Sequence, residues 1–597
     1  METILGIDLG TTNSEVALIR QGKVEVLYED GEAMLPSVVG LDAEDRLLVG
    51  AAARNQWVLA PERTVRSIKR RMGEAETVRL GDQQYAPQEI SAFILRKLKE
   101  RAEQQLGHPV GKAVITVPAF FNETQREATR AAGELAGLEV VRIINEPTAA
   151  SLTYDPHPGK MERLLVYDLG GGTFDVSIVQ IEQGVVEVLS SHGDTRLGGD
   201  DFDQLLCDLV SSDFQREHGV DLGQSPAARS RVLRAVEEAK KLLSLEPVAR
   251  IEEEFIAEKR GAPLHLRREI RRSDYEELIE PLLAKTLKCV DEALSDAKLN
   301  ANQIDKVILV GGASRTPRVH QLLEEQLGQP IHDEVDPDLC VAMGAAIQGG
   351  LIAGIDVGPV LVDITPHSLG IQVLGEVDGR VTSDCFARLI HRNASLPTGR
   401  SEIFSTVIDG QKAAGIQVFQ GEDNDVRHNQ PVGEFLLDGL AEAGRGNEIL
   451  VRFDLDLDGI LKVTAIERAT GRQKQLTIDN AVTHFRAGNR QEALARVEAT
   501  FLGPAGGDLA ATPPAAAGVP ARGSPPDLPA EMTQLMERCR QLIAKSGQLA
   551  GQAAAADAAQ IERTIERLQA AISERSQADM QSAAAELEDL VFYLQDA

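Results

Sequence analysis

From Met1 to about Ile355, short apolar runs alternate with long amphipathic stretches, the pattern of an α/β architecture in which helices cover strands. Ala113–Val117 reads as a strand, Glu123–Leu138 as a helix and Val140–Ile144 as the next strand. Asn122 can cap that helix, and Glu123 and Glu127 suit its positive end. From about Asp363 to Asp479 the runs are broken by Gly, Asn and Asp, as in Glu448–Asp456, Asp458-Gly459 and Leu461–Ile466, which predicts a β domain built from hairpins. Gly503–Pro529 is rich in Pro, Ala and Gly, nearly uncharged and without period, so a disordered linker is expected. Ala530–Ala597 returns to helical spacing through Leu535, Leu542, Ile561, Ile565, Leu568, Leu587 and Val591, a stripe that three short helices would bury together.

The α/β half repeats itself. Ile4–Ile19 echoes Leu164–Val179, each running strand, Asp, Gly-rich turn, strand, so two similar lobes around a shared cleft are expected. A strand that ends in Asp and turns at once through Gly and Thr offers a phosphate close backbone approach, N–H donors and hydroxyls. The carboxylate would repel phosphate directly, so its work runs through a hard cation such as Mg²⁺, which binds few carboxylates and keeps several waters. One such turn alone would favour a plain hairpin; the repeat and a third turn reverse the odds. That third turn, Lys306–Pro317, is a buried strand opening onto Gly311 and Gly312, where Arg315 and flat glycines suit an adenine face. It lacks the dinucleotide glycine spacing, and no P-loop is present.

Composition narrows the partners. The 597 residues carry 62 Lys plus Arg against 92 Asp plus Glu, a net charge of −30. That surplus makes nucleic acid or an anionic membrane a poor default partner. Aromatics are only 4% with a single Trp, which argues against broad stacking platforms. The five cysteines lie far apart without a C-x-x-C pair, so neither a zinc site nor a disulfide framework is indicated. Met1 runs almost at once into the strand at Ile4, and no apolar stretch approaches the roughly 18 residues of a membrane helix. A cytoplasmic protein is expected. Asp454–Gly459 begins like a calcium loop, but Ala465 stands where the bidentate Glu is required, so the segment reads as a hairpin turn.

Several long motifs, in order, then resemble one family closely. Val117-Pro118-Ala119-Phe120-Phe121-Asn122, Ile144-Asn145-Glu146-Pro147-Thr148-Ala149-Ala150, Gly193-Asp194-Thr195-Arg196-Leu197-Gly198-Gly199 and Asp363-Ile364-Thr365-Pro366-His367-Ser368-Leu369-Gly370 are similar to the seventy-kilodalton heat-shock chaperones of the DnaK type. The resemblance covers Met1 to Asp479 almost continuously and implies a specialised bacterial member. The implied fold is multidomain: an actin-like, duplicated ribonuclease-H-like ATPase over 1–356, a linker over 357–365 and a β-sandwich peptide-binding domain over 366–482. A short helix over 483–502, the disordered linker over 503–529 and a lid-like helical bundle over 530–597 complete it.

By matching position, the resemblance implies that Asp8, Glu146 and Asp168 hold Mg²⁺ largely through its waters, and that Gly10, Thr11, Thr12, Asn13, Gly170, Gly171, Gly172 and Thr173 cradle the phosphates of ATP or ADP. Lys69 matches the lysine that stabilises the γ-phosphate and orients the attacking water, though on its own it reads as a solvated lysine at a basic helix end. Asp175 matches the residue that positions the water or a potassium ion. Glu237, Lys240, Lys241 and Ser244, spaced i, i+3, i+4 and i+7 on one helical face, would clamp adenosine with Gly198, Gly199, Gly311, Gly312 and Arg315; without the resemblance they read as an exposed salt-bridged helix.

Val360-Leu361-Val362 match the linker's docking residues, Asp363 its acidic partner, Pro118, Arg126 and Glu146 the relay that reports bound ATP, and Arg142 a J-domain contact. In the β domain, Ile371, Val373, Leu374, Phe404, Val407, Gln411, Ala414, Ile416 and Ile449 match peptide-binding positions, although such residues are also ordinary sandwich core. Ala414 replaces a larger aliphatic residue, and a change of one or two methylenes shifts selectivity by about 1 to 3 kcal/mol. The expected partners are unfolded polypeptide clients, a J-domain co-chaperone and a GrpE-type exchange factor, with no nucleic acid and no membrane. Between Lys69 and Gln88 the chain is shorter than in housekeeping relatives, trimming a region that exchange factors touch. A sugar-type kinase and an actin-like filament protein use the same cleft and are the alternatives; neither has use for a β domain and linker.

Overall fold

The computed structural model describes residues 2–154, 160–328, 331, 336–441, 446–457, 459–478, 487–502 and 567. The predicted repeat appears as two sheets of matching connectivity. In the first, Ile4–Asp8 runs parallel to Lys112–Val117 and antiparallel to Asn13–Arg20, with Glu139–Asn145 and Lys23–Val26 outside them. In the second, Glu162–Leu169 runs parallel to Lys306–Val310 and antiparallel to Phe174–Glu182, with Val185–Asp194 beyond. Each sheet buries its own apolar core, the first under the helices Pro87–Leu106 and Glu123–Leu135, the second under Gly199–His218, Pro226–Leu245 and Arg272–Asp296.

The helix predicted over Glu123–Leu138 ends at Leu135. Gly137, at φ 76°, takes the left-handed turn there, and the Leu138 N–H closes back onto the Gly133 carbonyl, which terminates the helix before Leu138. Asn122 caps its start as expected, accepting from the Gln125 N–H at 2.9 Å.

The helix Cys340–Ile352 packs on the first sheet and on the helix Glu146–Ser151 through small residues. A Cβ on Gly6 would lie 2.0 Å from the Ala346 nitrogen, and one on Gly344 would lie 1.8 Å from the Ala149 carbonyl oxygen, so backbone packs directly on backbone.

The β half forms two four-stranded antiparallel sheets, one ordered Arg380–Ile390, Leu369–Val377, Ala413–Gln420, Gln430–Asp438, the other Thr398–Ser405, Glu448–Leu455, Leu461–Glu467, Gln473–Ile478. Their inner faces bury Leu369, Val418, Val451, Phe453 and Val463. The Asp454–Gly459 segment is the predicted turn, since Glu448–Leu455 and Leu461–Glu467 pair across it and Ala465 faces the sandwich core.

The described residues up to Leu502 belong to one structural unit, within which the β half is seated on the α/β half through contacts such as Asn122 to Gln430 and Arg392 to Asp296. Val360–Val362 adds to the second sheet as its fifth strand, parallel to Val185–Asp194, with Leu361 buried. Ala487–Leu502 is the expected short helix, and it packs on the first lobe: Ala493 and Val497 join that core, Arg496 pairs with buried Glu89 at 2.9 Å, and the Arg96 guanidinium lies 4.0 Å from the Phe501 ring. The expected linker over 503–529 and terminal bundle over 530–597 lie outside the described residues, apart from residue 567.

Candidate active site

The duplicated strands set the geometry. In the first sheet Asp8 stands opposite Glu15, and in the second Asp168 stands opposite Asp175, so each lobe delivers a pair of carboxyls to the cleft floor. Glu15, Asp168 and Asp175 are buried, as is Glu146 at the start of the helix Glu146–Ser151, while Asp8 is half-buried. Lys69 comes from the turn Ile68–Arg71 and is only 4% exposed, which removes the solvated reading. It ion-pairs with Glu146.

One buried cation among five carboxyls, four of them buried, leaves an excess of negative charge. Burial pushes Asp8, Glu15, Glu146 and Asp168 upward, against the pull of Lys69, and pushes Asp175 to about 7. The Lys69 ammonium is held above the ordinary lysine value because the Glu146, Asp8 and Asp168 carboxylates outweigh its desolvation. Such a donor set fits a hard cation. Among the described residues no three His, Cys, Asp or Glu side chains converge closely enough to ligate one ion directly.

Two of these neighbours were not anticipated. Thr116 donates to Asp8 at 2.8 Å, and Glu15 sits beside the same carboxyl. Glu15 was legible in principle, because the repeat aligns it with Asp175.

The phosphate-type loops of the two lobes meet. A Cβ on Gly171 would lie 1.9 Å from Thr12 Oγ1, and one on Gly172 would lie 2.7 Å from Thr11 Cγ2. The Gly170–Thr173 loop is fixed from the second lobe, where the Gly199 and Asp200 N–H groups donate to the Gly170 and Gly171 carbonyls at 3.0 and 2.7 Å. On the opposite side, the Ser37 hydroxyl donates to the Gly10 carbonyl at 2.8 Å, and Asn13 opens the next strand against Pro36. Ser67, in the left-handed region at φ 53°, donates to Asp200 at 2.5 Å, and Arg70 reaches Asp201 at 3.0 Å, so the two lobes are stitched beside Lys69. Thr11, Thr12, Asn13, Trp57, Arg66 and Glu237 help line a cavity of about 560 Å³ between the lobes.

Glu237, Lys240, Lys241 and Ser244 do lie on one helix, Pro226–Leu245. Their charges are not pooled: Lys241 pairs with Glu237 at 2.8 Å, whereas Lys240 turns to Asp203 at 2.8 Å and to the Gly199 carbonyl at 3.1 Å. Gly311, at φ 79°, passes so close to the Leu169 carbonyl that a Cβ would meet it at 2.5 Å; Arg315, beyond Gly312, pairs with Asp338 at 2.5 Å.

The relay positions form a connected path. Arg126 donates to the Asn145 side chain at 2.7 Å and to the Ala119 carbonyl at 2.9 Å, one residue past Pro118. Asn145 in turn donates to both Asp363 oxygens at 3.1 Å, and burial holds that carboxyl up while the Arg126 and Arg142 charges pull it down. Asn145, unremarked in the sequence reading, is the bridge.

The peptide-type positions divide by burial. Ile371, Ala414, Ile416 and Ile449 belong to the sandwich core, with Val373 and Phe404 packed at its margin. Leu374 and Val407 are 55% and 47% exposed. Gln411 donates to the Ala413 carbonyl at 2.8 Å, while its own side-chain oxygen is buried without a partner.

Comparison with known proteins gives this geometry a context. The family described as Hsp70 protein matches residues 4–79 and 74–596. The proteins named chaperone protein DnaK from Thermotoga petrophila and Thermotoga maritima are each 47% identical over 486 residues, covering 80% of this chain and 80% of their own. That from Thermotoga neapolitana is 46% identical over the same span. Mixed sheets and helices followed by a β-rich half fit an actin-like ATPase joined to a second domain. With a family match across nearly the whole length and relatives this similar, the chain belongs to the Hsp70 family and is a nucleotide-binding ATPase that works as an ATP-dependent chaperone.

Proposed function

We propose that ATP binds between the lobes with its phosphates on Gly10–Asn13 and Gly170–Thr173 and its adenosine against Glu237, Lys240, Lys241, Ser244, Gly198, Gly199, Gly311, Gly312 and Arg315. The observation that carries this reading is the single buried Lys69 set among Asp8, Glu15, Glu146, Asp168 and Asp175. Asp8, Glu146 and Asp168 would hold Mg²⁺ mainly through its waters, which would supply positive charge beside the phosphates, and Asp175 would stand beside a potassium ion. Lys69 neutralises the γ-phosphate and Asp175 orients the attacking water; Thr173 donates from the loop that meets Thr11 and Thr12. Phosphoryl transfer to water needs little more than this positioning and charge.

The same proposal divides the chain at 1–356, 357–365, 366–482, 483–502, 503–529 and 530–597, the last a lid-like helical segment. An extended client segment binds the β domain by backbone hydrogen bonds with an apolar side chain among Ile371, Val373, Leu374, Phe404, Val407, Gln411, Ala414, Ile416 and Ile449. Pro118, Arg126, Glu146 and Asp363 couple the two, and a J-domain partner at Arg142 and a GrpE-type exchange factor set the pace. The test is ATP turnover of the full chain with and without an unfolded apolar polypeptide. Client-stimulated turnover is expected, and client release indifferent to ATP would overturn the coupling.

A further inference from the structure

The hydrolytic centre meets the β half by a second route that bypasses Asp363. The Phe120 N–H donates to Asp175 Oδ1 at 3.0 Å, and the neighbouring Ala119 N–H also bonds that carboxyl, so the backbone at 119–120 orients it. The Phe120 carbonyl makes a 3.1 Å hydrogen bond with His367 Nε2, and because a carbonyl only accepts, that ring nitrogen carries the proton. The peptide between Phe120 and Phe121 is therefore fixed at both ends, its N–H donating to the Pro118 carbonyl at 3.1 Å. The Phe120 ring is gripped too, edge-on by His367 with centroids 4.5 Å apart and stacked by His192 at 6.0 Å. His192 is anchored at 2.9 Å by Asp296, whose carboxylate also accepts from Arg392 and Asn393 of the β half, each at 2.9 Å.

We infer that His367 is a positioning residue for hydrolysis: by holding the Phe120 carbonyl it sets the direction of the Phe120 N–H, and so transmits the seating of the β domain to Asp175. This rests on the reading of Asp175 given above. A rotation of the 120–121 peptide changes the dihedrals at Phe120, and a displacement of the order of 1 Å at a catalytic group costs about a hundredfold in rate. The contact is a chemical one, needing a donor at residue 367, and not merely a filled volume.

The experiment measures steady-state ATP turnover of the full chain with and without reduced, carboxymethylated lactalbumin as unfolded client, for the wild type, His367→Leu, His367→Gln and Asp175→Asn. Leucine keeps an apolar contact with the Phe120 ring but has no donor; glutamine restores an N–H. His367→Leu should shrink the client-dependent change in kcat by about threefold or more at unchanged KM for ATP, and His367→Gln should recover most of it. Wild-type coupling in the leucine variant, or equal loss in both variants, overturns the inference. Normal turnover in Asp175→Asn would instead overturn the role of Asp175, and the inference with it.

Discussion

Among the described residues Lys69 carries the only ammonium buried among the cleft carboxyls, and in the proposed site replacing it removes the charge set against the phosphates. Lys69→Ala should lower kcat by roughly a hundredfold or more while ATP still binds, as isothermal titration and single-turnover assays would show. The stability cost should stay near 1 to 3 kcal/mol, below that of an ordinary broken buried pair, because Glu146 is already displaced upward and can take a proton in place of its partner. Sequence alone could not favour Lys69, since burial arises only when the turn after Ser67 is folded beneath the second lobe. Asp8 and Asp168 were legible because their chemistry repeats along the chain. Glu15 was legible by the same alignment and overlooked, and Thr116 was not, as it reaches Asp8 from a strand more than a hundred residues away.

At the level of elements, helix Glu123–Leu135 carries its capping residue into an interface: the Asn122 side chain donates to Gln430 at 2.7 Å, and the Glu123 N–H donates to Gln420 at 3.2 Å. Burial near Asp456 pushes the Glu123 carboxyl to about 7, against an ordinary value of 4.5. The folded form then holds a proton that the unfolded form has released between these values, so stability falls as pH climbs from 4.5 to 7 and is level above. Because Glu123 is half-buried and at a helix start that favours an anion, the loss should be about 1 kcal/mol; Tm against pH would flatten in Glu123→Gln. The helix Ala487–Leu502 could be read from its spacing, but its partner could not, because Ala493 and Val497 complete a core formed some four hundred residues earlier. Val497→Asp should release it, seen as faster amide exchange across 487–502 with ATP binding intact, and Val497→Ala should cost about 1 to 3 kcal/mol.

Across the whole molecule, the motifs identified the two halves and their order, whereas the way they meet depends on single side chains scattered through both. Asn145 is the clearest case, for it lies inside a quoted motif and yet owes its role to Arg126 and Asp363 being on either side in space. Asn145→Ala should cut client stimulation of turnover at least about threefold while leaving basal hydrolysis nearly unchanged, since the carboxyls around Lys69 are not disturbed. The net charge of −30 gives no partner, and in the proposed site the anionic nucleotide would be met by local donors and one lysine despite it. The strand Val360–Val362 has a further role by virtue of where it sits. It covers the hydrogen-bonding margin of Val185–Asp194, which would otherwise face solvent with Val185 already 39% exposed. Without this strand in place, Val185–Asp194 would be an unpaired edge of the kind that seeds aggregation, so the chain carries its own shield. Val360→Pro, which removes the N–H that donates to the Gly184 carbonyl at 2.9 Å, should leave the purified chain prone to concentration-dependent self-association, visible by light scattering.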